Sequence, residues 1–114
     1  MLTVAESVEI YVCLKPADMR KSFDSLARLV EEFMGKSPLS GHLFVFINKR
    51  RSMLKILFWD RTGYCQYYKR LESGSVSLPV SADEDTSSIA ISNEQLHLIL
   101  DGVNIWGYQA KQLN

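Results

Sequence analysis

Apolar residues recur along the chain with two different periods, and the change of period marks out its elements. Residues 8–14, Val-Glu-Ile-Tyr-Val-Cys-Leu, concentrate β-branched and aromatic types and predict a strand. Pro16 closes it, because proline has no amide hydrogen to give a ladder and restricts the residue before it. Asp18 is placed to cap the turn Met19-Arg20-Lys21 that follows. From Ser22 to Met34 the apolar residues Phe23, Leu26, Ala27, Leu29, Val30, Phe33 and Met34 return at helical spacing. Asp24, Arg28, Glu31 and Glu32 fill much of the other face, and Gly35 stands where a helix-ending glycine belongs.

Beyond the turn residues Ser37–Gly41 the period drops to that of strands. His42 to Asn48 is apolar on both faces through Leu43-Phe44-Val45-Phe46-Ile47, the mark of a central strand. Lys49-Arg50-Arg51-Ser52 forms a hairpin connection to Met53–Trp59. Asp60-Arg61-Thr62-Gly63 is a second turn, with Gly63 able to take positive φ, and Tyr64–Leu71 is the next strand. Glu72-Ser73-Gly74 turns again, and Ser75–Leu78 is expected as a short edge strand ending at Pro79. The acidic, serine-rich stretch 80–91 is expected as a loop. Ser92 with Gln95 makes a capping-box pattern that opens a helix over 93–101, ended by Gly102. Val103–Trp106 is expected to pack onto the sheet, with 108–114 a frayed tail. The expected fold is α+β: an antiparallel β-meander of four to five strands, one amphipathic helix packed on one face, and a short C-terminal helix.

At 114 residues and 46% hydrophobic content, one domain over 1–114 is expected, with its core at about 8–79. No apolar run approaches membrane length, and no basic-then-apolar leader opens the chain, so a cytoplasmic protein without membrane contact is expected. Cys13 and Cys65 form no CxxC pair and are expected as reduced thiols.

The net charge of zero hides a strong asymmetry. Residues 36–71 carry +7, with Asp60 the lone acid, whereas residues 72–101 carry −6 without a Lys or Arg. Such a split marks a candidate polyanion-binding face. The competing reading is that the acidic stretch folds over the basic one and neutralises it.

Catalytic constellations are missing. His42 and His97 are the only histidines and have no ligand partners at zinc spacing, and phosphate-cradling glycine loops are absent. Asp60 alone among bases does not make a two-metal site. No enzyme activity, metal or cofactor is therefore expected.

The positive chemistry lies in the meander. Lys49, Arg50 and Arg51 sit at a hairpin tip, and Lys69 and Arg70 end the strand that runs parallel to the one leading into it. Together with Lys55 these bases are expected to share one rim, where each phosphate neutralised releases counterions. Trp59, Tyr64, Tyr67 and Tyr68 are interleaved, and any exposed ring among them can stack on an unpaired base; the alternative is that they are core. Arg20 and Lys21, at a helix start, are further candidates for phosphate. The alternative there is structural, with Asp18 capping and Arg20 bracing a carboxylate such as Asp60.

Four blocks, Pro16-Ala17-Asp18-Met19-Arg20-Lys21-Ser22-Phe23-Asp24, Gly41–Phe46, Leu54–Asp60, and Gly63 with Tyr68–Gly74, resemble the Orf2 (TnpB-type) accessory protein of the insertion sequence 66 (IS 66) transposon family. Leu100-Asp101-Gly102-Val103 is similar to that family's terminal segment. The chain departs from the pattern after Gly74, where Ser75-Val76-Ser77-Leu78-Pro79 replaces a basic and aromatic segment ending in Trp-Pro. The resemblance implies a small bacterial protein supporting transposition beside a larger transposase of the same element. The expectation is a non-enzymatic accessory protein that binds DNA, near transposon ends, through the basic rim. The alternative is an interaction module that binds the transposase without touching DNA.

Overall fold

A computed structural model describes residues 4–78 and 85–106. Its elements are β1 (Ile10–Cys13), α1 (Phe23–Glu32), β2 (Leu43–Ile47), β3 (Met53–Asp60), β4 (Gly63–Arg70), β5 (Ser88–Ile91) and α2 (Asn93–Leu100). The five strands form one sheet in the order β4-β3-β2-β1-β5. Helix α1 packs on one face and α2 on the other, over separate apolar clusters.

The α+β class stands, but the sheet is mixed rather than antiparallel. Strands β2, β3 and β4 are the expected meander, with Phe44 opposite Leu57 and Met53 opposite Arg70. Strand β1 instead runs parallel to β2, with Ile10 opposite Leu43. The reason is the connection: α1 carries the chain back across the sheet, and a helical crossover returns the next strand in the same direction. All five residues of β2 are buried, as a central strand covered on both faces requires.

Two further expectations are corrected. Residues 75–78 form no strand; Val76 instead drops fully buried into the α2-side cluster, its amide donating to the Arg51 carbonyl. The fifth strand comes from the end of the stretch expected as an acidic loop, where Ser88–Ile91 pairs antiparallel with β1. The alternation is there, Ile91 buried and Ala90 exposed, but four residues after a run of serines and acids give a weak signal. Residues 79–84 and the tail 108–114 lie outside the described residues.

Helix ends follow local chemistry. The capping box at α2 is complete: Ser92 Oγ accepts from the Gln95 amide at 3.0 Å, and Gln95 Oε1 accepts from the Ser92 amide at 2.8 Å. At α1, Gly35 takes φ +66°, which lets the Lys36 amide reach back to the Val30 carbonyl. In the β3–β4 turn the positive φ falls on Arg61 rather than on Gly63, which is already the first residue of β4.

Candidate nucleic-acid interface

Three segments meet at the end of the sheet where β1 and β2 finish. The first is the β2–β3 hairpin tip. Asn48, nearly buried, organises it: Asn48 Oδ1 accepts from the amides of Ser52 and Met53 at 2.9 and 3.0 Å, and Asn48 Nδ2 donates to Ser52 Oγ. The turn holds Arg51 at φ +59°, a conformation glycine adopts with less strain. Lys49, Arg50 and Arg51 are all exposed, and no ion pair joins them to any described residue.

The second segment is the chain leaving β1. The Ala17 amide donates to the Ile47 carbonyl at 2.9 Å, which sets residues 18–21 beside the tip. Asp18 caps this turn as expected, accepting from the Arg20 amide at 2.9 Å. The Arg20 guanidinium closes on the same carboxylate at 2.6 Å, and that pairing holds the Asp18 carboxyl down to about 2. Arg20 thus braces Asp18 and not Asp60, whose carboxylate lies 3.6 Å from Arg61. Ser22 makes no side-chain cap, and Asp24 supplies negative charge in the first turn of α1.

The third segment is the end of β4. Neighbouring residues on a strand face opposite ways, and this separates Lys69 from Arg70. Arg70 stands on the α1 face opposite Met53, bonded to Glu72 at 2.8 Å. Lys69 turns to the α2 face, where Nζ donates to the Leu100 carbonyl at 2.7 Å and satisfies the last turn of α2. Lys55 lies on the α1 face, yet it is only 4% exposed. Its ammonium donates to the carbonyls of Met19 and Lys21 at 2.8 and 2.7 Å and so ties the 18–21 segment to the sheet.

These placements split the expected rim. Arg20, Lys49 and Arg50, with Met53 and Tyr68, line one depression of about 550 Å³. A second hollow of about 360 Å³ shares Met53 and Tyr68 and is bordered by Arg70 and Glu72. Arg51 and Lys21 are exposed nearby without lining either hollow. Lys55 and Lys69 are bonded to backbone carbonyls instead. Sequence reasoning missed Asn48 and Met53; an asparagine just before a charged tip was the available signal for the first.

The aromatics divide as well. Tyr68 is 51% exposed between the two hollows. Tyr67 packs against the α2-side cluster, and Trp59 meets Tyr64 edge to face at 5.1 Å. Tyr64 lies toward the other end of β4, where burial and then the charges of Glu31 and Asp24 push its hydroxyl up. Cys13 is buried beneath α1, and that burial pushes its thiol up.

The described acids of the 72–101 segment do not all lie at this face. Glu72 meets Arg70, whereas Glu94 and Asp101 belong to α2 and its end, across the sheet. Asp83 and Glu84 lie outside the described residues.

Residues 8–110 match the family described as IS66 Orf2 like protein. The chain belongs to this family. Two curated relatives come from Sinorhizobium fredii (strain NBRC 101917 / NGR234). The uncharacterized protein y4hO is 36% identical over 91% of this chain and 88% of its own length. The uncharacterized protein y4jC is 30% identical over 91% of this chain and 86% of its own. No solved structure matches. Membership points to an accessory role in transposition of an insertion sequence. The match reaches past the four blocks to cover β5 and α2, so the C-terminal part of the fold belongs to the family pattern too. No helix of the described residues is long and apolar enough to cross a membrane. No three His, Cys, Asp or Glu side chains gather as a metal site among them.

Proposed function

We propose that this family member is a non-enzymatic accessory protein that binds DNA, near the ends of its insertion sequence, through the α1 face of the hairpin end. The observation carrying the reading is the convergence of Arg20, Lys49, Arg50 and Arg70 around one pair of open hollows, with Lys21 and Arg51 beside them. Three separate chain segments supply these cations, and like charges gather on one surface at an electrostatic cost that a polyanion would offset. Lys55 and Lys69, also expected to contact DNA, serve this reading only by positioning the 18–21 segment and α2.

Such binding is sequence-tolerant and salt-sensitive, because it rests on phosphate contacts rather than base edges. A gel-shift titration at several salt concentrations tests it, with element ends and random DNA as probes. Binding to both probes that weakens steeply with salt is expected; no binding to either at low salt overturns the reading.

A second reading has its own observation. Strand β4, eight residues long, pairs only with β3 and leaves its outer edge free among the described residues. An unpaired edge is a ready site for a partner's strand, and the transposase of the same element is the partner the family context offers. Co-purification of transposase that survives nuclease treatment would favour this reading.

A further inference from the structure

Tyr68 stands out from the other aromatics on the sheet because it is the one left half-exposed among cations. The ring is held on its inner side. Lys55 Nζ lies 4.7 Å from the ring centroid, and that ammonium is itself fixed by two carbonyls. The Tyr68 hydroxyl reaches Met53 Sδ at 3.3 Å. A ring braced in this way loses little further freedom when something stacks on its outer side. The cation beneath also offsets the negative potential of the π-face, so an electron-rich base meets less repulsion there.

We propose that Tyr68 is a stacking platform for an unpaired base, so that this site takes single-stranded DNA in preference to duplex. The inference rests on the DNA-binding reading and names its substrate. In duplex DNA the flat faces of the bases are covered by their neighbours, and a tyrosine on the protein surface meets sugar, phosphate and base edges but no open face to stack on. In a single strand a base can lie on the ring while the phosphates on either side reach cations. The placement fits: Arg20, Lys49 and Arg50 border one side of Tyr68, and Arg70 borders the other. Arg20 and Arg70 are held in the meantime by Asp18 and Glu72, exposed pairs that a phosphate can displace.

Fluorescence anisotropy with labelled oligo(dT) of about 12 nucleotides, and a duplex of the same length, tests the proposal. Oligo(dT) is expected to bind more tightly than the duplex. Tyr68→Ala should weaken oligo(dT) binding about tenfold, leave duplex binding unchanged and keep the salt slope, since stacking involves no phosphate. Tyr68→Phe should retain wild-type binding. Tyr68→Leu, which still covers Lys55 but offers no ring, should behave as Tyr68→Ala and serves if the alanine variant fails to fold. Tighter binding of the duplex, or equal losses for both probes, overturns the stacking proposal while the DNA-binding reading stands. Binding of neither probe overturns both.

Discussion

Lys49 in the β2–β3 turn and Lys55 on the strand that follows are close in sequence, yet their charges have opposite fates. Lys55 is flanked by Leu54 and Ile56, which the strand buries on the α2 side, and its own side chain is covered on the α1 side. A buried ammonium is tolerable only when hydrogen-bonded, and two carbonyls meet that need. Lys49 is exposed, with no ion pair to any described residue. A strand cation among apolar neighbours is thus part of the architecture, whereas a turn cation is available to a ligand. Lys69 and Arg70 repeat the contrast on adjacent residues, one capping α2 and the other bordering the hollows.

The largest expected effect is at Lys55. Lys55→Ala leaves the Met19 and Lys21 carbonyls without their donor and should cost about 3 kcal/mol in denaturant unfolding. A loss under about 0.5 kcal/mol would break the contrast, because Lys55 would then be no more structural than a surface lysine.

Replacing Lys49, Arg50 and Arg51 together with Ala should do the reverse. The slope of log affinity against log salt should fall by up to about three, with stability changed by less than about 0.5 kcal/mol. An unchanged slope would show that the wrong surface has been chosen.

Lys69→Ala should cost about 1 kcal/mol, read as a fall of about 5 °C in thermal midpoint, with DNA binding unaltered. Weakened DNA binding without loss of stability would move Lys69 to the ligand-facing group.

The smallest effect is expected at Asp18. Asp18→Asn keeps an oxygen to accept from the Arg20 amide but frees the guanidinium, so the salt slope should steepen by up to about one. Because the folded carboxyl sits at about 2, below its ordinary value, its contribution to stability is complete above about pH 4 and fades as pH falls toward 2. Acid-unfolding curves of the two proteins should differ above about pH 4 and converge near about pH 2.

Much of this fold was legible because local chemistry and tertiary packing agree. The amphipathic pattern of α1, the doubly apolar β2 and the Ser92–Gln95 box each had one consistent reading. The parallel pairing of β1 was harder, since it depends on where the α1 crossover returns the chain rather than on any residue in β1. Strand β5 was hidden by its serine-rich flank. In the candidate site, the exposed tip was legible from Lys49-Arg50-Arg51. The burial of Lys55 was not, because it depends on carbonyls 36 and 34 residues away in sequence.

Whether DNA meets the α1 face of the hairpin end is tested most directly by amide NMR shifts during a titration with DNA. Shifts concentrated at residues 18–21, 48–53 and 68–72, with α2 unmoved, are the predicted result. Shifts centred on α2 or on the far end of β4, or none at all, would contradict it.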